Sequence, residues 1–464
     1  MDAFNDFLSD ASSFIWGPWL LIPLLLLTGI YLTVVLRGLQ VRRFRLAFWL
    51  AFVKRADSGA EGDISHYQAL ATALAATVGV GNIVGVATAI SLGGPGAVFW
   101  MWFTGMVGMA TKYSEAFLGV RFRRTDAAGE QSGGPMHYLR NGIKGPVGVF
   151  LGGFFAVAGA IAAFGIGNMT QANAVAENVN QEWGVPTWAT GAIVTVLAGA
   201  VILGGIKSIG RFTSAFVPLM IVLYILGGAA VLAFNITEVP AAIKLIFADA
   251  FTGTSAVGGF AGAGVAAAIR YGVARGIFSN ESGLGTGGIA AAAAKTTHPV
   301  RQALVSMTQT FIDTLVVVSF TALTIIVTGA WKTGGEDDAG TFTARAFDEG
   351  LPGDWGSVIV TISLIFFAFS TLLGWSYYGE RCVEFLFGRK VVLPYRVLFI
   401  VVSYIGATTT LTTVWTFSDV MNGLMALPNL IGLLILSPLV WRETRDYFRG
   451  ETPKEDTETA TSTS

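Results

Sequence analysis

Apolar runs of about 20 residues recur along the whole chain, the length an α-helix needs to cross a bilayer. Eleven windows carry this pattern, near 15–36, 65–91, 95–119, 146–169, 187–206, 213–234, 260–294, 303–329, 355–378, 393–413 and 417–440. Two of them, 65–91 and 260–294, are too long and too rich in glycine to be one regular helix each. The stretch Met1 to Asp10 holds Asp2, Asp6 and Asp10 and neither Lys nor Arg. A signal peptide opens on a basic segment, so the first window is expected to be kept as a helix. After Trp441 the chain turns polar and ends in Glu451 to Ser464, a composition that predicts disorder.

Leaving out the first window, ten remain, and the two long, glycine-interrupted ones open each set of five. The expected fold is an all-α polytopic membrane protein with 11 transmembrane helices. An N-terminal segment and extra helix (1–36) precede a first five-helix repeat (65–234) and a second, inverted one (260–440), with a polar cytoplasmic tail over 441–464. Broken helices at matching positions in two halves point to a binding site at the membrane midplane.

Charge sorts the connections. Arg37, Arg42, Arg43, Arg45, Lys54 and Arg55 follow the first window, and Arg121, Arg123 and Arg124 the third. Lys207 and Arg211, then Lys295 and Arg301, then Arg381, Arg389 and Lys390 follow the fifth, seventh and ninth. The alternate connections are short or acidic, as in Gly335-Glu336-Asp337-Asp338 and Asp348-Glu349. Basic loops stay in the cytoplasm, so the N-terminus is expected outside the cell membrane and the C-terminus inside.

Composition narrows the function. Only 13% of the 464 residues are charged and 53% are hydrophobic, against roughly 25% charged in soluble domains, which excludes a soluble globular protein. Lys and Arg number 29 against 30 Asp and Glu, so no basic field is available for nucleic acid. Cys382 is the single cysteine, and His66, His137 and His298 are scattered, so neither a disulfide nor a cysteine metal cage can form. No phosphate-cradling loop appears, and uphill transport would have to draw on an ion gradient.

The first break reads Ala75-Ala76-Thr77-Val78-Gly79-Val80-Gly81-Asn82-Ile83-Val84-Gly85. Unwinding there would expose carbonyls at the end of one half-helix and amide N–H groups at the start of the next. The carbonyl end suits a small cation and the amide end a carboxylate. Close packing through Gly79, Gly81 and Gly85 is the plainer alternative, but an Asn82 amide at that depth needs a polar partner. The second break reads Phe278-Ser279-Asn280-Glu281-Ser282-Gly283-Leu284-Gly285. A carboxyl such as Glu281 at that depth is paired or functional, and either an internal ion pair with Arg270 or Arg275 or direct ion or proton binding would serve.

Elsewhere, Ala368, Thr371 and Trp375 share one face of the ninth window. A hydroxyl beside a backbone carbonyl could ligate a hard cation there, or Ser370 and Thr371 could simply bond back to their own helix. The fourth window is expected to end near Phe164 to Gln171, with Gln171 facing the same way as Phe164 or capping the helix. Lys112 and Glu115, three apart, could pair. Asp313 reads as part of a scaffold hydrogen-bond network.

Four stretches then carry a resemblance: GVGNIVGVATAISLGGPGAVFWMW (79–102), GGPMHYL (133–139), GVARGIFSNESGLG (272–285) and QTFIDTLVV (309–317). Over nearly the whole chain it resembles the sodium:alanine symporters, the alanine or glycine:cation symporter family; Phe103 is bulkier than the aliphatic residue expected after Trp102. That family is similar to leucine-transporter-like proteins with one extra first helix. The resemblance implies uptake of small neutral amino acids, alanine and glycine above all, with sodium as the coupling ion and no further cofactor. It implies a substrate site at Thr77, Gly79, Gly81 and Asn82, joined by Gln171, Ser279, Thr371 and Trp375. The matching sodium site would use carbonyls of Ala75, Val78 and Ala368 with the Thr371 and Ser370 hydroxyls. Trp375 and Phe164 are expected to wall the pocket. Proton coupling through Glu281 is the first rival reading, ahead of a passive channel and an intramembrane enzyme.

Overall fold

The computed structural model describes residues 2–17, 19–57, 59–252, 264–332, 341–353, 355–409 and 412–450. The acidic stretch 335–338, the start of the seventh window and the tail 451–464 lie outside the described residues.

Helices occupy each predicted window. They are α1 (Leu21–Val35), α2 in two halves (His66–Thr77 and Gly81–Gly93), α3 (Gly96–Arg121), α4 (Pro146–Trp183), α5 (Thr187–Ile202) and α6 (Gly205–Phe234). Then follow α7 in two halves (Val265–Asn280 and Thr286–Ala292), α8 (Pro299–Thr328), α9 (Gly356–Phe387), α10 (Val392–Thr408) and α11 (Thr412–Arg449). Among the described residues, six helices are long and apolar enough to cross a membrane, or seven if the two halves of α2, bent by 57°, count as one span. The surface agrees with a bilayer as solvent: Val196, Leu197, Leu219, Leu226, Leu398 and Val401 are exposed, while Asp313, Glu115, Lys112 and Gln309 are buried.

Several boundaries depart from the expectation. An amphipathic helix, Asp2–Ile15, precedes α1 and packs against α11. A further helix, Val239–Thr252, lies between α6 and α7, and a short one, Phe342–Gly350, before α9. α4 does not stop near Gln171. Its hydrogen bonding slips into a π-helical turn at Gly165–Met169 and the helix continues to Trp183. Gln171 is therefore mid-helix and caps nothing. α11 likewise runs past Trp441 to Arg449, so the first part of the expected polar tail is helical.

On the side with the basic loops, a two-stranded hairpin pairs Arg124–Thr125 with Gln131–Ser132. Its Asp126 and Glu130 meet Arg389 at 2.9 and 2.7 Å, and Glu130 also meets the fully buried Arg381 of α9 at 2.9 Å. The hairpin that follows α3 is thereby clasped to α9 and to the start of α10. Such cross-links between charges compensate the desolvation that a lone buried guanidinium would suffer.

Candidate functional site

Both breaks form where the glycines predicted them, but they are completed differently. In α7 the chain leaves the helix at Glu281, which adopts a left-handed backbone (φ 56°), an uncommon state for a residue with a side chain. Lys112 Nζ donates to the Glu281 carbonyl at 3.0 Å, at the negative end of the first half-helix. Glu115 Oε1 accepts from the Gly283 and Gly285 amides, both at 2.9 Å, and from Asn429 Nδ2 at 2.8 Å, at the positive end of the second. One ion pair of α3, 3.8 Å between Lys112 and Glu115, thus saturates both dipole ends of the α7 break. The Glu281 carboxylate accepts from Thr286 Oγ1 at 2.6 Å. Arg270 and Arg275 make no salt bridge with it, so the expected internal ion pair is not realised. Both line a separate hollow with Trp16 and Asp419 instead.

The α2 break is left open on one side. Asn82 Oδ1 accepts from the Gly79 amide at 2.8 Å and Asn82 Nδ2 donates to Asp313 Oδ1 at 2.8 Å. Ser279 Oγ and Thr314 Oγ1 donate to the other Asp313 oxygen at 2.9 and 2.8 Å. Asp313 sits in a π-helical stretch of α8, Phe311–Val317, and ties the two breaks together as the scaffold network anticipated. Gln309 Nε2 adds a bond to Thr77 Oγ1 at 2.9 Å.

A small cavity of about 20 Å3, room for roughly one water, lies at the α2 break, so any larger ligand must widen it to bind. Thr77, Gly79, Gly81, Gln171, Thr371 and Trp375 line it, all six named from the sequence. Close packing makes it: a side chain at Gly79 would strike Thr371 Oγ1, one at Gly167 would strike the Trp375 ring, and one at Gly374 would sit 2.7 Å from Ala76. Three expected members do not reach it. Asn82 and Ser279 are fully engaged in the Asp313 network behind the break. Phe164 points away and packs on Tyr395 and Phe399 of α10, with ring centroids at 5.3 and 5.6 Å, because the π-helical turn rotates it off the Gln171 face.

Against the first half of α2 lies a cluster of oxygens. Ser370 Oγ is 3.2 Å from the Ala75 carbonyl and Thr371 Oγ1 is 3.5 Å from the Val78 carbonyl. Both hydroxyls also reach back to Phe367 O, at 2.9 and 3.0 Å. Four of the five residues named for a cation therefore converge. The fifth, Ala368, is buried beside them, but the α9 carbonyl that meets the hydroxyls is that of Phe367. These are neutral, hard oxygen donors in a buried pocket, a set that fits a small hard cation.

The sequence reading missed several residues of the cavity wall, chiefly Phe278, Ile166 and Asn422, and did not count Glu281 as a wall. Phe278 also lines the hollow that holds Trp16 and Asp419, so its ring stands between that hollow and the cavity. A signal for Asn422 was present: it is an amide within an apolar run, the argument that singled out Asn82.

The profile described as the sodium:alanine symporter family matches residues 1–461. A sodium/alanine symporter, AgcS of Methanococcus maripaludis, is 52% identical over 447 residues, covering 96% of this chain and 97% of that protein. A putative sodium/proton-dependent alanine carrier protein of Bacillus subtilis, YrbD, is 36% identical over 461 residues, covering 96% and 92%. Among solved structures, MhsT in complex with L-phenylalanine superposes with a TM-score of 0.57 at 14% identity, over 83% of this chain and 99% of that one, a likeness of fold.

Proposed function

The chain belongs to the sodium:alanine symporter family, and on that premise we propose that it carries alanine and other small neutral amino acids, glycine among them, into the cell together with Na+. It is a multi-pass membrane transporter and not an enzyme. The eleven-helix arrangement, with α2–α6 and α7–α11 as inverted repeats around an extra α1, is our reading of the helix order and of the paired breaks. The outward N-terminus and cytoplasmic C-terminus follow from the basic loops.

The observation that carries the reading is the juxtaposition at α2. The Ala75 and Val78 carbonyls, at the negative end of one half-helix, meet the Ser370 and Thr371 hydroxyls of α9 within 3.5 Å. The small cavity adjoins them, lined by Gly79, Val80 and Gly81 at the positive end of the other half-helix, and it widens to take an amino acid. Na+ exchanges the two interhelical hydrogen bonds for direct oxygen ligation, which pins α9 to the break and presents the Val80 and Gly81 amides to a substrate carboxylate. Each ligand then favours the same closed arrangement of α2 against α9, a reciprocal coupling free energy between the two. Gly79 and Thr371 touch both sites, so neither ligand binds without altering the other's surroundings. Trp375, against Gly167, and Ile166 limit the room left for a side chain.

The test is uptake of labelled alanine into proteoliposomes under an inward Na+ gradient, with choline replacing Na+ under an imposed proton gradient as control. Concentrative uptake only with Na+ supports the reading. Uptake driven by protons alone, abolished by Glu281→Gln, would replace it with proton coupling.

A further inference from the structure

The cavity at the α2 break contains two polar groups that its own protein leaves unanswered. Gln171 is 3% exposed. Its Nε2 donates to the Ile166 carbonyl at 3.0 Å, a carbonyl within the π-helical turn, and that bond orients the amide. Its Oε1 is buried and meets no donor among the described residues. Asn422, on α11, is 1% exposed and its Oδ1 likewise meets no donor among the described residues. Both side chains line the same small cavity. A buried amide oxygen without a partner costs about 1–3 kcal/mol, and two facing one cavity are hard to account for as packing.

The sign of the missing partner is informative. Both unanswered atoms are acceptors, so the missing group is a donor. The start of the second α2 half-helix lines the same cavity and supplies N–H groups suited to a carboxylate. A zwitterion that widens the cavity on entering therefore finds donors for its carboxylate and acceptors for its ammonium.

We infer that Asn422 is a substrate-binding residue, which with Gln171 accepts hydrogen bonds from the α-ammonium of the bound amino acid. This inference rests on the transport reading above and adds a contribution from α11, which the sequence assigned none. Because α11 also packs against the amphipathic helix Asp2–Ile15 and against α4, substrate ordering of Asn422 ties the last helix to the loaded state.

The test compares wild type with Asn422→Leu, which keeps the branched shape and removes the acceptor, both in proteoliposomes. Two readouts are taken: half-saturating alanine in Na+-driven uptake, and inhibition by propionate, which is alanine without its amino group. The expected result is a rise of about 10- to 100-fold in half-saturating alanine, the worth of one hydrogen bond to a charged group, with propionate inhibition unchanged. Retention of the Na+-induced rise in melting temperature certifies that the variant is folded; if it is lost, Asn422→Ala is measured in its place. Unchanged alanine affinity, or alanine and propionate weakening in parallel, overturns the inference and makes Asn422 a wall. Wild-type protein that takes up no alanine under a Na+ gradient overturns the transport reading and the inference with it.

Discussion

Asn82 donates from its Nδ2 to the carboxylate of Asp313 at 2.8 Å, while its Oδ1 holds the Gly79 amide at the same distance. Asn82, named from the sequence for the substrate site, is thus the clamp that shapes the break. Through Asp313 the clamp extends to Ser279 of α7, so the two discontinuous helices share one carboxylate.

Asp313→Asn removes the charge that three donors face and turns one of them against an amide N–H. Na+-driven uptake should fall at least tenfold, and stability should drop by roughly 1.5–3 kcal/mol for each bond lost to the charged group. Thermal melting in detergent with and without Na+ checks this. A variant that melts like wild type would mean that the carboxylate does not brace the breaks.

Thr371→Ala removes the hydroxyl that meets the Val78 carbonyl. Half-saturating Na+ should rise about tenfold, the loss of one oxygen ligand worth a strong hydrogen bond. Ser370→Ala, which frees Ala75 O, should act in the same direction. Sodium titration of alanine uptake measures both, and unaltered Na+ dependence in the pair would move the cation away from this cluster.

Trp375→Ala should widen the cavity, because the indole packs against Gly167 at a distance that admits no Cβ there. Competition by a panel of larger neutral amino acids should strengthen by about 10- to 100-fold relative to alanine, the worth of a few methylenes in an apolar site. If the larger competitors gain nothing, another side chain sets the size limit.

His137 lies in the short helix Pro135–Gly142, with its Nε2 3.2 Å from Ser132 Oγ. Burial, and then the charges of Arg124, Arg140 and Arg381, hold the imidazole at about 4, below its ordinary value of 6.5. The unfolded chain therefore binds a proton between those values that the folded chain does not, and stability falls as pH drops through this window. The full effect is about 3 kcal/mol, complete below the lower value and absent above the upper one. Melting curves of wild type and His137→Gln from pH 7 to pH 4 should diverge, with the variant the flatter; parallel curves would place the acid sensitivity elsewhere.

Much of this was legible in the chain. The apolar windows located the helices because bilayer-facing helices are apolar over a length set by the membrane, a local property. Gly79, Gly81, Gly283 and Gly285 located both breaks for the same reason. Thr77, Gln171, Thr371 and Trp375 were named for the cavity and the structure brings them to it. Phe164 was misplaced because a π-helical turn, which no periodicity announces, rotates it off the Gln171 face. Lys112 and Glu115 were seen as a pair, but not as the caps of a helix more than 160 residues away in the chain.

The class of molecule, the positions where its helices break and the kinds of atom available there were all readable from the chain, since each depends on neighbouring residues. Which polar groups answer one another was settled by packing alone. Asp313 takes Asn82 and Ser279 out of the cavity, Glu115 and Lys112 close the α7 break, and Gln171 and Asn422 are left with unanswered oxygens. In a medium without water every buried donor and acceptor must find its partner within the protein, and that pairing is a property of the whole packed bundle.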